Sequence, residues 1–132
     1  WYLTEFAEHQ GVQKVISDIN HKYRNTAALW QRDNFSDGFQ WLVGDDGAAN
    51  VIAYARWSDN GTPLISITNW SPVPHEHYRI YIPKPGKYRE VLNTDDLKFG
   101  GSGVTNSEIT VGEDCHTTLR IPPMATIWLE LA

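Results

Sequence analysis

The stretch FQWLVGDDGAANVIAYARWSDNGTPLISITNW, residues 39–70, decides the fold class. Phe39, Trp41 and Val43 alternate with Gln40 and Leu42, the period of two expected of a strand whose sides meet different surroundings. On that pattern Phe39, Trp41 and Val43 share one face. Gly44-Asp45-Asp46-Gly47 reads as a turn. Residues 51–57 form a second strand, with Val51, Ala53, Ala55 and Trp57 on one face. Asp59-Asn60-Gly61 is a strong hairpin signal, because Asn and Gly tolerate the positive φ that tight hairpins require. A third strand covers residues 64–70 and is broken by Pro72-Val73-Pro74.

The same period continues downstream. Tyr78, Ile80 and Ile82 alternate with Arg79 and Tyr81, and Lys84-Pro85-Gly86 suits a type II turn. Further strands are expected at residues 89–92, 109–111, 116–121 and 125–131, with a long polar loop over 95–107. About eight short strands at regular turn spacing predict an all-β domain, an antiparallel β-sandwich. One amphipathic α-helix precedes it, over residues 10–25. Val12, Val15, Ile16, Ile19 and Tyr23 recur at helical spacing, and Gln13, Lys14, Asp18 and Lys22 fill the other face. Asn25-Thr26 is the expected stop, and the boundary between helix and β domain lies near residues 26–38.

Composition narrows the function classes. The chain has 132 residues, a net charge of −5 and 41% hydrophobic residues, enough for a core without staples. The acidic balance argues against nucleic acid as a partner, since binding phosphates needs a basic patch. Apolar runs are too short for a membrane span. Cys115 is the only cysteine, so no internal disulfide exists and a reducing compartment is allowed. The chain opens on Trp1 rather than Met, which reads as a processed chain or a piece of a longer one.

Few residues carry chemistry. Asp45-Asp46 and Asp95-Asp96 are adjacent acids, which read as solvated turn residues rather than a carboxylate pair facing across a sugar. His75-Glu76-His77 could offer two imidazoles to a metal, with a third ligand from His116 or Cys115, but no CxxC or HExxH motif supports a site, and a polar loop is the plainer reading. Cys115 and His116 would point to opposite faces of a strand and cannot pair directly. Gly100-Gly101-Ser102-Gly103 lacks the Lys-Ser/Thr ending and following helix of a phosphate loop. The sequon at Asn69 lies within an expected strand. No catalytic residue, metal ligand or cofactor is assigned. The six tryptophans are more informative, because sugar C–H faces stack on aromatic rings while sugar hydroxyls need a polar rim. Trp41 is the first platform candidate, with Trp30 and Trp57 behind it.

Several motifs resemble one family in a single register. Gly11-Val12-Gln13-Lys14-Val15-Ile16-Ser17-Asp18-Ile19-Asn20, with Tyr23-Arg24 and Ala28-Leu29, resembles the helix closing the catalytic (β/α)₈ barrel of bacterial glycogen (1,4-α-glucan) branching enzymes. Gly38-Phe39-Gln40-Trp41, Asn69-Trp70-Ser71-Pro72-Val73-Pro74, and Gly86-Lys87-Tyr88-Arg89-Glu90-Val91-Leu92-Asn93-Thr94-Asp95 resemble that family's C-terminal β domain. The run from Leu119 through Ile121-Pro122-Pro123-Met124-Ala125-Thr126 to Leu129 resembles its closing strands. Trp30, Tyr88 and Cys115-His116 depart from the pattern.

The resemblance implies a cytoplasmic enzyme that cuts α-1,4-glucan and transfers the piece to a 6-hydroxyl, through carboxylates that lie in the barrel and not in this chain. On this reading residues 1–33 are the final helix and linker of the barrel, and 34–132 are a non-catalytic sandwich. That sandwich stabilises the barrel of the same polypeptide and offers a surface site for α-1,4-glucan or glycogen. A free-standing carbohydrate-binding module is the alternative. Without the barrel, Val12, Val15, Ile16 and Ile19 would fold back on the sandwich or drive self-association.

Overall fold

The computed structural model describes residues 2–132; Trp1, the first residue of the expected 1–33 segment, lies outside the described residues. Among the described residues, eight strands form two antiparallel sheets behind a single α-helix, α1 (Ala7–Asn25). The strands are β1 (Phe39–Asp46), β2 (Val51–Trp57), β3 (Pro63–Asn69), β4 (His75–Tyr81), β5 (Gly86–Asn93), β6 (Ile109–Val111), β7 (His116–Ile121) and β8 (Ala125–Leu131). The larger sheet has the order β1-β2-β3-β8-β5-β6, and β4 pairs with β7 as a two-stranded ribbon. The expected sandwich is therefore the observed one. No described helix is long and apolar enough to cross a membrane.

The core lies between the two sheets. Alternate residues of the large sheet, Val51, Ala53, Ala55, Ile65, Ile67, Ile127 and Leu129, meet Ile80, Leu119 and Ile121 of the ribbon, together with Ile82 just beyond β4. Burial of branched side chains on both inner faces supplies the main stabilisation, at about 25 cal/mol per Å² of apolar surface. Tyr88 is buried there too; its hydroxyl donates to the Lys84 carbonyl at 2.8 Å, and burial first, then Cys115, raises the phenol pKa to about 12.

Strand boundaries depart from the sequence in instructive ways. β1 runs through Gly44 to Asp46, so the turn sits later, around residues 47–50, with Asn50 at φ +55°. A register shift between Trp41 and Val43 puts Val43 against the core, so Val43 does not share the outward face of Phe39 and Trp41. β4 starts at His75 despite Pro74, with an irregularity before Tyr78, so His75-Glu76-His77 belongs to a strand rather than a loop. Cys115 sits not in a strand but in a left-handed turn, at φ +58°.

Two buried polar side chains latch the loops. Asn69 is fully buried; its amide donates to the carbonyls of Val73 and Pro122, and its carbonyl accepts from the Ser71 amide at 2.8 Å. This ties the 70–74 bend to the 122–124 connection, and it closes Asn69 to glycosylation. Asp95 is not a solvated turn acid, as expected, but a buried organiser. Its carboxylate accepts from the Ser102 hydroxyl at 2.6 Å and from the Ser102 and Val104 amides. A Cβ at Gly101 would overlap the Asp95 backbone, so that approach needs glycine. Asp96 caps the 3₁₀ turn Leu97–Phe99 by accepting from the Lys98 amide.

α1 begins at Ala7, earlier than expected, and docks with an unexpected stripe. Gly11 is its buried residue, and a Cβ there would overlap the Phe99 carbonyl. Asp18, on the same side, accepts from Lys98 Nζ at 2.8 Å. Gly11, Val15, Asp18, Ile19 and Lys22 form the docked side, so Asp18 and Lys22, which the sequence pattern put on the polar face, are partly covered rather than fully in solvent. Val12, Ile16 and Tyr23 lie about 100° further round, at 3.6 residues per turn, and are exposed at 61%, 54% and 47%. The segment after the helix is pinned as well. Thr26 donates to Glu130, Arg32 pairs with Asp37 and Asp59, and Arg56 bonds Asp33 and the Gly38 carbonyl.

Two consequences follow for stability. Asn69→Ala leaves the buried Pro122 carbonyl and the part-buried Val73 carbonyl and Ser71 amide without their partner, so it should cost about 2 kcal/mol by denaturant unfolding, from the penalty of unsatisfied groups. Burial pushes the Asp95 carboxyl up, but hydrogen bonds from Ser102, Val104 and Gly103 outweigh it and hold the group below its usual range. The unfolded state then binds the proton more readily, so this contribution is complete above the unfolded carboxylate value, about 3.9, and is lost as pH falls through the lower folded value. Chemical denaturation across acid pH should show that decline, and Asp95→Asn should flatten it while lowering stability at neutral pH.

Candidate functional surface

The most distinctive surface lies on the outer side of β1 and β2. Inward Val51, Ala53 and Ala55 force Ile52, Tyr54 and Arg56 outward, and antiparallel pairing sets Trp41 opposite Tyr54 and Phe39 opposite Arg56. Three rings therefore meet. Phe39 stacks on Tyr54 at 5.3 Å between centroids, Trp41 meets Phe39 edge-on at 5.1 Å, and Trp41 meets Tyr54 edge-on at 6.1 Å. Such geometry fixes ring orientation through the aromatic quadrupoles. Trp41 stays 58% exposed, so a rigid indole face is held in solvent.

The other two candidates sit apart from it. Trp57 lies on the inward side of β2 and packs half-buried against the core. Trp30 follows the 3₁₀ turn Ala27–Leu29 and is 45% exposed. Among the described residues, no ring contact joins either to the Trp41 cluster. Sequence alternation already sets Phe39 beside Trp41 on one face; Tyr54 is not among the sequence candidates, although the alternation that places Val51, Ala53 and Ala55 together implies that Tyr54 faces the other way.

Beyond Trp41, the end of the β1–β2 hairpin is braced from the second sheet. Tyr78 donates to Asp46 at 2.7 Å, Asp46 accepts from the Ala49 amide, and His75 Nε2 lies 2.9 Å from the Ala49 carbonyl. The Tyr78 hydrogen bond, followed by that from Ala49, holds the Asp46 carboxyl below its usual range, and burial, then Asp46, raises the Tyr78 phenol. Asp46 and His75 are thus used structurally. No group of three His, Cys, Asp or Glu suited to a metal occurs among the described residues. His116 Nδ1 lies 2.7 Å from the Asp114 carbonyl, and its ring packs on Tyr81 rather than on Cys115. One cleft, between the end of α1 and the 58–63 turn, is lined by residues that include Asn25, Thr26, Ser58, Asn60 and Glu130, and its Thr26–Glu130 bond anchors the linker.

Comparison with known proteins places this geometry. The chain is 43% identical to the 1,4-alpha-glucan branching enzyme GlgB of Pseudomonas syringae pv. tomato, over 96% of this chain and 18% of that protein. Identity is 41% with GlgB of Mesorhizobium japonicum, over 99% of this chain and 18% of that protein. It is 38% with GlgB of Thermobifida fusca, over 98% and 18%. The chain thus spans under a fifth of the length of these relatives. Residues 41–132, from Trp41 through the last strand, match the family described as alpha amylase, C-terminal all-beta domain. That span takes in nearly all of both sheets, and the chain belongs to this family.

Proposed function

We propose that this chain is the C-terminal part of a 1,4-α-glucan branching enzyme, an enzyme that cuts α-1,4-glucan and rejoins the piece as an α-1,6 branch. The observation that carries this reading is similarity over 96–99% of the chain to branching enzymes of which it covers only 18%. Catalysis then belongs to a barrel elsewhere in the same cytoplasmic polypeptide. Residues 1–33 are its last helix and linker, and 34–132 the sandwich that supports it.

The helix surface supports this division. Val12, Ile16 and Tyr23 are exposed on α1, and Tyr2, Leu3, Phe6 and Leu97 are exposed besides. Large apolar groups gathered this way mark a surface made to be covered. The barrel covers them in the complete enzyme; separated from it, the Val12–Ile16 edge drives self-association. The docked side of α1, through Gly11 and Asp18, transmits the barrel's position to the 95–104 loop.

The second role is glucan binding at the sandwich surface, with Trp41 as the platform and Trp30 and Trp57 as lesser contributors. Phe39 and Tyr54 hold the Trp41 indole in place, so little side-chain entropy is lost when a sugar stacks on it.

Three outcomes test these assignments. The native protein carrying this sequence should be several-fold heavier than 132 residues; a species of this size alone would favour a free-standing carbohydrate-binding module. Ile16→Asp should leave the stability of this isolated chain within about 0.5 kcal/mol, as for an exposed position. In the complete enzyme it should lower the thermal midpoint by several degrees, and equal tolerance in both would remove the barrel-facing assignment. Trp41→Ala should weaken maltoheptaose binding at this surface about tenfold, a loss of about 1.4 kcal/mol, and unchanged affinity would exclude Trp41.

A further inference from the structure

Among the described residues the Trp70 indole makes no hydrogen bond and no ring contact. The bend it belongs to is held by others: Asn69 makes the buried hydrogen bonds, and the Ser71 hydroxyl accepts from the Val73 amide. Trp70 itself contributes its backbone, the amide donating to the Asn50 carbonyl at 2.8 Å, while the side chain is 59% exposed. An indole more than half exposed at the end of an ordered strand presents apolar surface that a ligand can cover.

The indole borders a groove of about 270 Å³ formed with Gly44, Asp45, Asp46, Gly47, Asn50 and Ile52. Trp41 bounds the same loop from the other direction, its ring within 3.7 Å of where a Gly44 Cβ would stand. Pairing registers place the two along one outer face. Trp41 is opposite Tyr54, and Trp70 is bonded to Asn50, four residues before Tyr54 in the chain and about 13 Å away at strand rise. The hairpin end that separates them is braced by Tyr78 and His75, so the spacing is fixed.

The groove chemistry identifies the ligand class. No Lys or Arg lines it, so a phosphate or carboxylate ligand gains nothing there. Asp45 and Asn50 are exposed, and among the described residues neither side chain hydrogen-bonds another group of the domain. A carboxylate and an amide between two exposed indoles offer acceptors and donors to hydroxyls, with a stacking face at each end. That suits a neutral, extended polyhydroxylated chain.

We propose that Trp41 and Trp70 are the two ends of one α-1,4-glucan site across the β1–β2 hairpin, with Asp45 and Asn50 contacting sugar hydroxyls between them. This rests on the assignment of Trp41 as a glucan platform and extends it to a chain long enough to reach both indoles. The test uses the complete native polypeptide labelled with 5-fluorotryptophan, with maltoheptaose as probe and fluorine NMR reading each indole separately. The Trp41 and Trp70 signals should shift together with one midpoint. Trp70→Ala should weaken maltoheptaose binding read at Trp41 about tenfold, with maltose affected less, and Trp70→Phe should keep most of the affinity. If Trp41→Ala weakens binding but Trp70→Ala does not, the two-ended site falls and the Trp41 platform stands. If neither substitution has an effect, both fall. An equal loss in Trp70→Phe, which keeps a stacking face, would assign the effect to the fold and overturn the proposal.

Discussion

Everything in this domain depends on burying the inner faces of two unequal sheets against each other. A two-stranded ribbon such as β4–β7 is marginal alone in water. It persists because Ile80, Leu119 and Ile121 lie against Val51, Ile65, Ile67 and Ile127, all nearly inaccessible. The large sheet gains equally, since the ribbon covers a face that water would otherwise reach. Because side chains alternate, that one requirement also fixes what faces out: with Ala53 and Ala55 inside, Tyr54 must be outside, and the aromatic surface of β1–β2 follows from the core.

The motifs that mark the family are mostly structural. Asn69 in the Asn-Trp-Ser-Pro-Val-Pro run reaches the carbonyl of Pro122 in the Pro-Pro run, so two distant motifs are one latch. Asn93 and Asp95 organise the loop up to Val104, and the Thr94 hydroxyl accepts from the Thr126 amide. Bends around prolines and glycines leave backbone groups without ladder partners, and short polar side chains supply them. Trp41 and Trp70, which make no such hydrogen bonds, are those for which glucan binding is proposed.

The helix reconciles docking with exposure by using two adjacent stripes. A glycine and an ion pair seat one stripe on the 97–99 turn, while the stronger apolar edge, Val12, Ile16 and Tyr23, turns away. Close backbone approach at Gly11 is possible only without a side chain, so the docked side is inconspicuous in a hydrophobicity pattern. The apolar edge, the conspicuous one, is the side left uncovered in this chain.

The sequence by itself determined the all-β class, the number and approximate place of the strands, the single helix and the family resemblance. These rest on local periodicity, turn chemistry and motif order, all of which are written in neighbouring residues. Tertiary structure decided the rest. Local alternation cannot register a bulge, so only the pairing with β2 moved Val43 inward away from Trp41. A turn-like Asp-Asp pair does not reveal that Ser102 and Val104 will return to Asp95 and bury it. Pro74 suggested a break, yet β4 begins directly after it because pairing of His75 with Ile121 supplies the partner. Which tryptophans stay in water was equally undecided: Trp41, Trp57 and Trp70 look alike in sequence, and only sheet packing sends one toward the core and leaves two outside.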